Sequence, residues 1–271
     1  MALKDITLGQ YFPGNSILHR LDPRTKILLT VFYIVALFMA KNILAYALMF
    51  TTLAAGILIS RVGFRVLVRG MKPILFIVIF TAVLNLFYTP GAGEPLVAFW
   101  IFKIYWEGIR TAFFMVLRIM MLISCTFLLT YTTSPILLTD ALEALLGPLK
   151  KLHLPIHELA MMMSIALRFI PTLIEETDKI MAAQKARGAD FDSGNLLEKA
   201  KALIPLLVPL FISAFRRADE LAVAMECRCY HGGEGRTRMR QLKYVARDYA
   251  ALLLGFGLCL AVWGLNLLGV F

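Results

Sequence analysis

The chain has 271 residues, 59% hydrophobic and only 17% charged, with a mean hydropathy of +0.75. A soluble domain carries about 45–50% apolar and about 25% charged residues, so this composition excludes an ordinary water-soluble protein. The net charge of +10 would raise nucleic-acid binding in a soluble chain; here the basic residues flank apolar runs and read as cytoplasmic loops facing anionic lipid, and no nucleic-acid partner is expected.

The first 25 residues are polar and carry no apolar stretch before a small-residue cleavage site, so no cleaved signal peptide is expected. A bilayer span needs about 20 mostly apolar residues. The windows that qualify or nearly do are Ile27–Ala40, Ile43–Ser60 after a tight Lys41-Asn42 turn, Ile74–Tyr88, Gly108–Thr130 and Tyr249–Phe271. Basic residues precede the first window (Lys4, Arg20, Arg24, Lys26) and fill the link between the second and third (Arg61, Arg65, Arg69, Lys72). The link from Thr89 to Gly108 is poor in charge and rich in aromatics and glycine, as an outer interfacial loop would be. The basic links favour the cytoplasm, which places the N-terminus inside and the C-terminus outside.

Between Tyr131 and Lys243 the pattern changes. Ser134-Pro135 starts a helix and Gly147-Pro148 stops it. A second helix begins near Pro155, a favoured first-turn residue, and runs to the Ala186-Arg187-Gly188 triplet; a third follows the loop 189–195 and runs through Cys227-Arg228-Cys229. The first halves of both long helices are almost wholly apolar (Leu159–Ile174 and Ala202–Phe215) and the second halves are charged. Such helices suit the inner membrane surface or the underside of other membrane proteins; Pro171, Pro205 and Pro209 permit bends. Aligned on Arg187 and Arg228, the two read as weak repeats, with Asp178 falling on Asp219 and Ala183 on Ala224. The expected architecture is an all-α integral membrane protein of about five transmembrane helices and a cytoplasmic domain of about three, divided as 1–131, 132–243 and 244–271.

Each arginine at a helix end has two readings. It caps its own helix through the macrodipole, or it presents a rigid fork of donors to carboxylates or carbonyls of another protein, with small neighbours admitting the tip into a groove. Met161, Met162 and Met163 either pack the two long helices together or form an adaptable surface for a partner. Arg118, in the fourth apolar window, is an intramembrane charge and so a functional candidate by default; a structural role, by snorkelling or by bonding backbone or a neighbouring helix, is favoured. No acidic residue falls inside the predicted spans. His153 and His157 are separated by Pro155, His157-Glu158 lacks the second histidine of a zinc-hydrolase pattern, and Cys227 and Cys229 have no nearby pair to complete a four-ligand set, so no metal site is expected. Cys125 and Cys259 lie in apolar runs. The absence of a Gly-Lys dipeptide leaves no P-loop.

Three features carry a family resemblance: the opening Gly9–Leu29, the segment Thr132–Leu152, and the pair of motifs Ala183–Phe191 and Ala224–Arg238. With them the chain, over nearly its whole length, resembles the transmembrane component of energy-coupling factor transporters, the CbiQ-like family. The resemblance implies that the helices between the fourth and fifth spans form a coupling domain. Each Ala-Arg-Gly-type motif would dock one of two ABC ATPase subunits, which bind the ATP, and a small, exchangeable substrate-binding membrane subunit would sit on the apolar halves. Ala186-Arg187-Gly188 matches the motif unaltered; Cys227-Arg228-Cys229 departs from it on both sides of the arginine. The implied function is uptake of a vitamin or transition metal ion across the plasma membrane of a prokaryote, with no catalytic residue and no cofactor in this chain. The competing classes are a stand-alone polytopic membrane enzyme, which needs polar groups converging in the bilayer beyond Asn85 and Arg118, and a secondary transporter, which needs an ion relay.

Overall fold

The computed structural model describes residues 11–88, 97–99, 102–152, 155–189, 191, 195–232 and 241–267. The described residues form helices α1 (Pro23–Met39), α2 (Ile43–Ser60), α3 (Phe64–Tyr88), α4 (Trp106–Thr132), α5 (Pro135–Leu146), α6 (Ile156–Ala186), α7 (Leu196–Cys227) and α8 (Ala246–Leu267). A short 3-10 turn, Gly147–Leu152, follows α5. A small antiparallel hairpin, β1 (Val97–Phe99) with β2 (Phe102–Ile104), occupies part of the link read as an interfacial loop. The link Arg61–Lys72 is not a loop either: α3 begins at Phe64 and absorbs most of it, with Pro73 inside the helix. Five helices are long and apolar enough to cross a membrane, namely α2, α3, α4, α6 and α8. The first predicted window falls outside this set because α1 has 17 residues, and the apolar first half of α6 takes its place.

The chain divides into two compact units. One comprises Gly9–Ala141 and Leu242–Phe271, and so contains α1 to α4 and α8. Its core is a seam of Ala36, Leu37, Ala40, Ala45 and Met49, all fully buried, closed by Met121 and Val262. The alanines let backbones approach closely where helices must pack without a hydrophobic drive from water. Asp22 opens α1: its carboxylate accepts from the Arg24 backbone N–H at 2.9 Å, and Pro23 occupies the first helical position, where no N–H is needed.

The two ends of this unit's sequence run side by side. At the start of α1 and α8 the Asp22 backbone N–H donates to Asp248 Oδ1 at 2.9 Å, while the Val245 N–H donates to Asp248 Oδ2 at 2.9 Å. Further along, Gly255 faces Leu29 and Phe32 so closely that an added Cβ would stand 2.7 Å from Leu29 Cδ2. At the far ends Asn266 Nδ2 donates to Met39 O at 2.6 Å and Asn42 Nδ2 to Leu265 O at 3.1 Å. Starts meet starts and ends meet ends, so α1 and α8 are parallel. The end of α4 returns to the same face: Lys26 Nζ donates to Thr132 O at 2.8 Å and the Phe12 N–H to Tyr131 O at 3.0 Å. The basic residues Arg20, Arg24, Arg61 and Arg65 therefore gather at one end of the bundle.

The second unit lies within Leu142–Gln241 and contains α6 and α7. Asn195 and Glu198 form a reciprocal capping box at the start of α7. His157 Nδ1 lies 3.0 Å from Glu143 Oε1, tying the start of α6 to the end of α5.

Replacing Asp248 by alanine leaves the buried Asp22 N–H and the part-buried Val245 N–H without their carboxylate acceptor. Each such bond contributes about 1.5–3 kcal/mol, so Asp248→Ala is expected to cost about 3 kcal/mol and lower the thermal midpoint in detergent by several degrees. An unchanged midpoint would show that the carboxylate does not hold the two helices together.

Candidate functional site

The two arginine motifs end their helices in the same way. Arg187 is the C-cap of α6 and Arg228 the C-cap of α7, with φ, ψ of −87°, 4° and −92°, 13°. In the first, the Gly188 N–H donates to Lys185 O and the Ala189 N–H to Gln184 O, both at 3.0 Å. In the second, the Cys229 N–H donates to Glu226 O at 2.8 Å and the Tyr230 N–H to Met225 O at 3.1 Å. Both are Schellman motifs, in which backbone donors satisfy the last carbonyls of the helix. The residue after each arginine is left-handed, Gly188 at φ 89° and Cys229 at φ 56°. That geometry explains the glycine in the first motif, and it places the cysteine of the second in a conformation that L residues avoid.

With the carbonyls met by backbone, neither arginine side chain is needed as a cap. Among the described residues neither guanidinium makes a hydrogen bond or ion pair, and Ala186, Arg187, Gly188, Cys227, Arg228 and Cys229 are all exposed. The helices hold these tips apart. Arg217 Nη2 donates to Glu176 Oε2 at 2.8 Å, and these two residues occupy the same register of the repeat. Each tip lies eleven residues further on (176 to 187, 217 to 228), or about 16 Å at 1.5 Å per residue. Gln184 Nε2 donates to Pro205 O at 3.4 Å, so α6 leaves the crossing toward the start of α7. The two arginines thus stand on opposite sides of the crossing, roughly 30 Å apart by helical rise. Sequence reading missed the Glu176–Arg217 pair; opposite charges at equivalent repeat positions were its signal.

Upstream of the tips, the apolar halves are largely uncovered within this unit. Met162 and Met163 are exposed and Met161 is half-buried. On α7, Ile204, Val208, Phe211 and Phe215 form an exposed apolar stripe at helical spacing.

Arg118 sits apart, in the membrane bundle. Its Nη2 donates to Ala40 O at 3.3 Å and to the Tyr46 hydroxyl at 2.5 Å, and its guanidinium stacks near Phe38 and Tyr46. Ala40 is the C-cap of α1, so the cation meets the negative end of a helix that stops short. Asn85 is likewise engaged locally, donating to Thr81 O at 2.9 Å. His157 is held by Glu143, while His153 lies outside the described residues. Among the described residues no group of three or more His, Cys, Asp or Glu side chains is placed to hold a metal ion.

The strained Cys229 is directly testable. Cys229→Gly is expected to stabilise the end of α7 by about 1 kcal/mol, read as roughly fivefold slower hydrogen exchange at the Tyr230 amide; faster exchange would show that the cysteine side chain itself holds the turn.

Comparison with known proteins places this architecture. Residues 14–239 match the family of cobalt transport proteins called CbiQ. The chain is 56% identical over 268 residues to the energy-coupling factor transporter transmembrane protein EcfT of Clostridium kluyveri, covering 97% of this chain and 99% of that one. It is 52% identical to the protein of the same name from Ruminiclostridium cellulolyticum over 96% of both chains. To that of Bacillus subtilis it is 51% identical, over 93% of this chain and 94% of the relative. The chain belongs to the CbiQ family of energy-coupling factor transporter transmembrane proteins.

Proposed function

We infer that this multi-pass membrane protein is the non-catalytic coupling subunit of an energy-coupling factor importer, and that Arg187 and Arg228 each dock one of two ABC ATPase subunits. The observation that carries the reading is the repeated helix end: two exposed, unpaired guanidinium groups on matching Schellman turns, held on opposite sides of one helix crossing. Two motors bound at separated points need two separated anchors of like chemistry. Arginine suits that role because its fork matches carboxylate and carbonyl acceptors with little loss of freedom. Each charge-assisted contact contributes about 1.5–3 kcal/mol, so two together would change affinity by about 10²–10⁴.

The mechanism that fits is force transmission. ATP, bound and hydrolysed by the partner subunits, draws the two ATPases together. Their movement pulls α6 and α7 about the Glu176–Arg217 crossing. The exposed apolar stripes of the two helices, including Met162, Met163, Phe211 and Phe215, form the surface on which a small substrate-binding membrane subunit rests. Reshaping that surface tilts the subunit and releases its vitamin or transition metal ion inward. The methionines accommodate more than one such subunit. By the positive-inside rule, the basic end of the membrane bundle lies in the cytoplasm.

The experiment is co-purification of the full complex from cells. Arg187→Glu and Arg228→Glu singly are each expected to lose about half of the ATPase, and the double variant nearly all of it, while the variants still insert. A double variant that retains both ATPases in full would overturn the docking assignment.

A further inference from the structure

The membrane bundle contains a large groove that the coupling role does not use. α2 and α3 are joined by a short turn and each packs on α4, but they diverge from one another. The gap is a groove of about 970 Å³ walled by residues such as Leu53 and Ile57 of α2 and Leu75 of α3, and floored by Met120 of α4. Its size falls at the top of the usual range for small-molecule sites, about 300–1,000 Å³. Its walls are almost wholly apolar, with one exception. Arg65, Arg69 and Lys72 of α3 border it along one rim. They follow i, i+4, i+7 spacing and so lie on one face of the helix. All three are exposed, and among the described residues none has an acidic or hydrogen-bonding partner.

We propose that this groove is a binding site for an anionic glycerophospholipid, with an acyl chain in the α2–α3–α4 groove and the phosphate held by Arg65, Arg69 and Lys72. The parts are arranged as such a molecule is. The cations lie in the first turns of α3, near the α2–α3 turn, and the apolar lining runs from there toward the middle of the helices. Long basic side chains reach back to headgroup depth while their stems lie against apolar surface. Basic clefts between transmembrane helices on the cytoplasmic side take anionic headgroups. Three uncompensated positive charges discriminate against a zwitterionic lipid, whose headgroup carries its own cation.

The test uses the assembled transporter in nanodiscs containing phosphatidylglycerol and phosphatidylcholine, with lipid retention read by native mass spectrometry. The wild type is expected to retain phosphatidylglycerol in preference to phosphatidylcholine. The triple variant Arg65→Gln/Arg69→Gln/Lys72→Gln should reduce that retention at least fivefold. Ile57→Trp, which fills the groove and leaves every charge, should reduce it as well. The control Arg20→Gln/Lys243→Gln/Arg247→Gln removes the same charge from elsewhere and should leave retention unchanged. The proposal is overturned if the control loses lipid as the triple variant does, if phosphatidylcholine is retained equally, or if neither site variant loses phosphatidylglycerol. Cross-linking of Ile57→Cys to a partner subunit in place of lipid would also overturn it.

Discussion

The membrane unit depends on one buried carboxylate. Asp248 accepts backbone N–H groups from Asp22 and Val245 at once, and so binds the first helix of the chain to the last. The residues it joins are 226 positions apart, and the whole coupling segment lies between them in sequence. Closing so long a loop costs entropy that grows only slowly with length, and a charge-assisted bond in a buried setting offsets it well. From that point α1 and α8 run parallel, through the close approach at Gly255 to the Asn266–Met39 bond.

Short α1 shapes the rest of the bundle. It stops at Met39, and its last carbonyls are met by side chains of other helices. The polar groups that reach them come from other helices: Asn266 from α8 to Met39 O, and Arg118 from α4 to Ala40 O. Arg118 thus completes the C-terminal end of α1. The Ala40 carbonyl, the Tyr46 hydroxyl and the faces of Phe38 and Tyr46 offset the cost of holding this cation against the bundle.

In the coupling segment the governing principle is separation of tasks along each helix. The backbone closes its own end through the Schellman turn, and the arginine side chain is left exposed. The middle crosses at Glu176–Arg217, which ties the two helices together. The apolar beginning is left uncovered. Cys229 shows where the second motif bears a strain the first avoids, since its left-handed backbone is glycine's natural conformation.

The amino-acid sequence alone determined the class of the protein, the order of its helices and the residues at the two tips. Hydropathy and helical punctuation are local properties, so the stop at Gly147, the start beside Asn195 and the end of α6 at Ala186 can be read from neighbouring residues. It was also enough for the family, because the motifs lie in short contiguous stretches. Tertiary structure decided what depended on partners distant in the chain. Continuation of α3 through Arg65, Arg69 and Lys72, where a loop was expected, came with its packing on α4; a run of basic residues by itself does not distinguish a cytoplasmic link from a helix end. Asp248 read as one more polar residue before a span, and only its approach to Asp22 made it the clasp of the bundle. Arg118 could not be assigned without Ala40 and Tyr46, which lie more than seventy residues away. The groove between α2 and α3 exists only because two helices adjacent in sequence pack on a third instead of on each other.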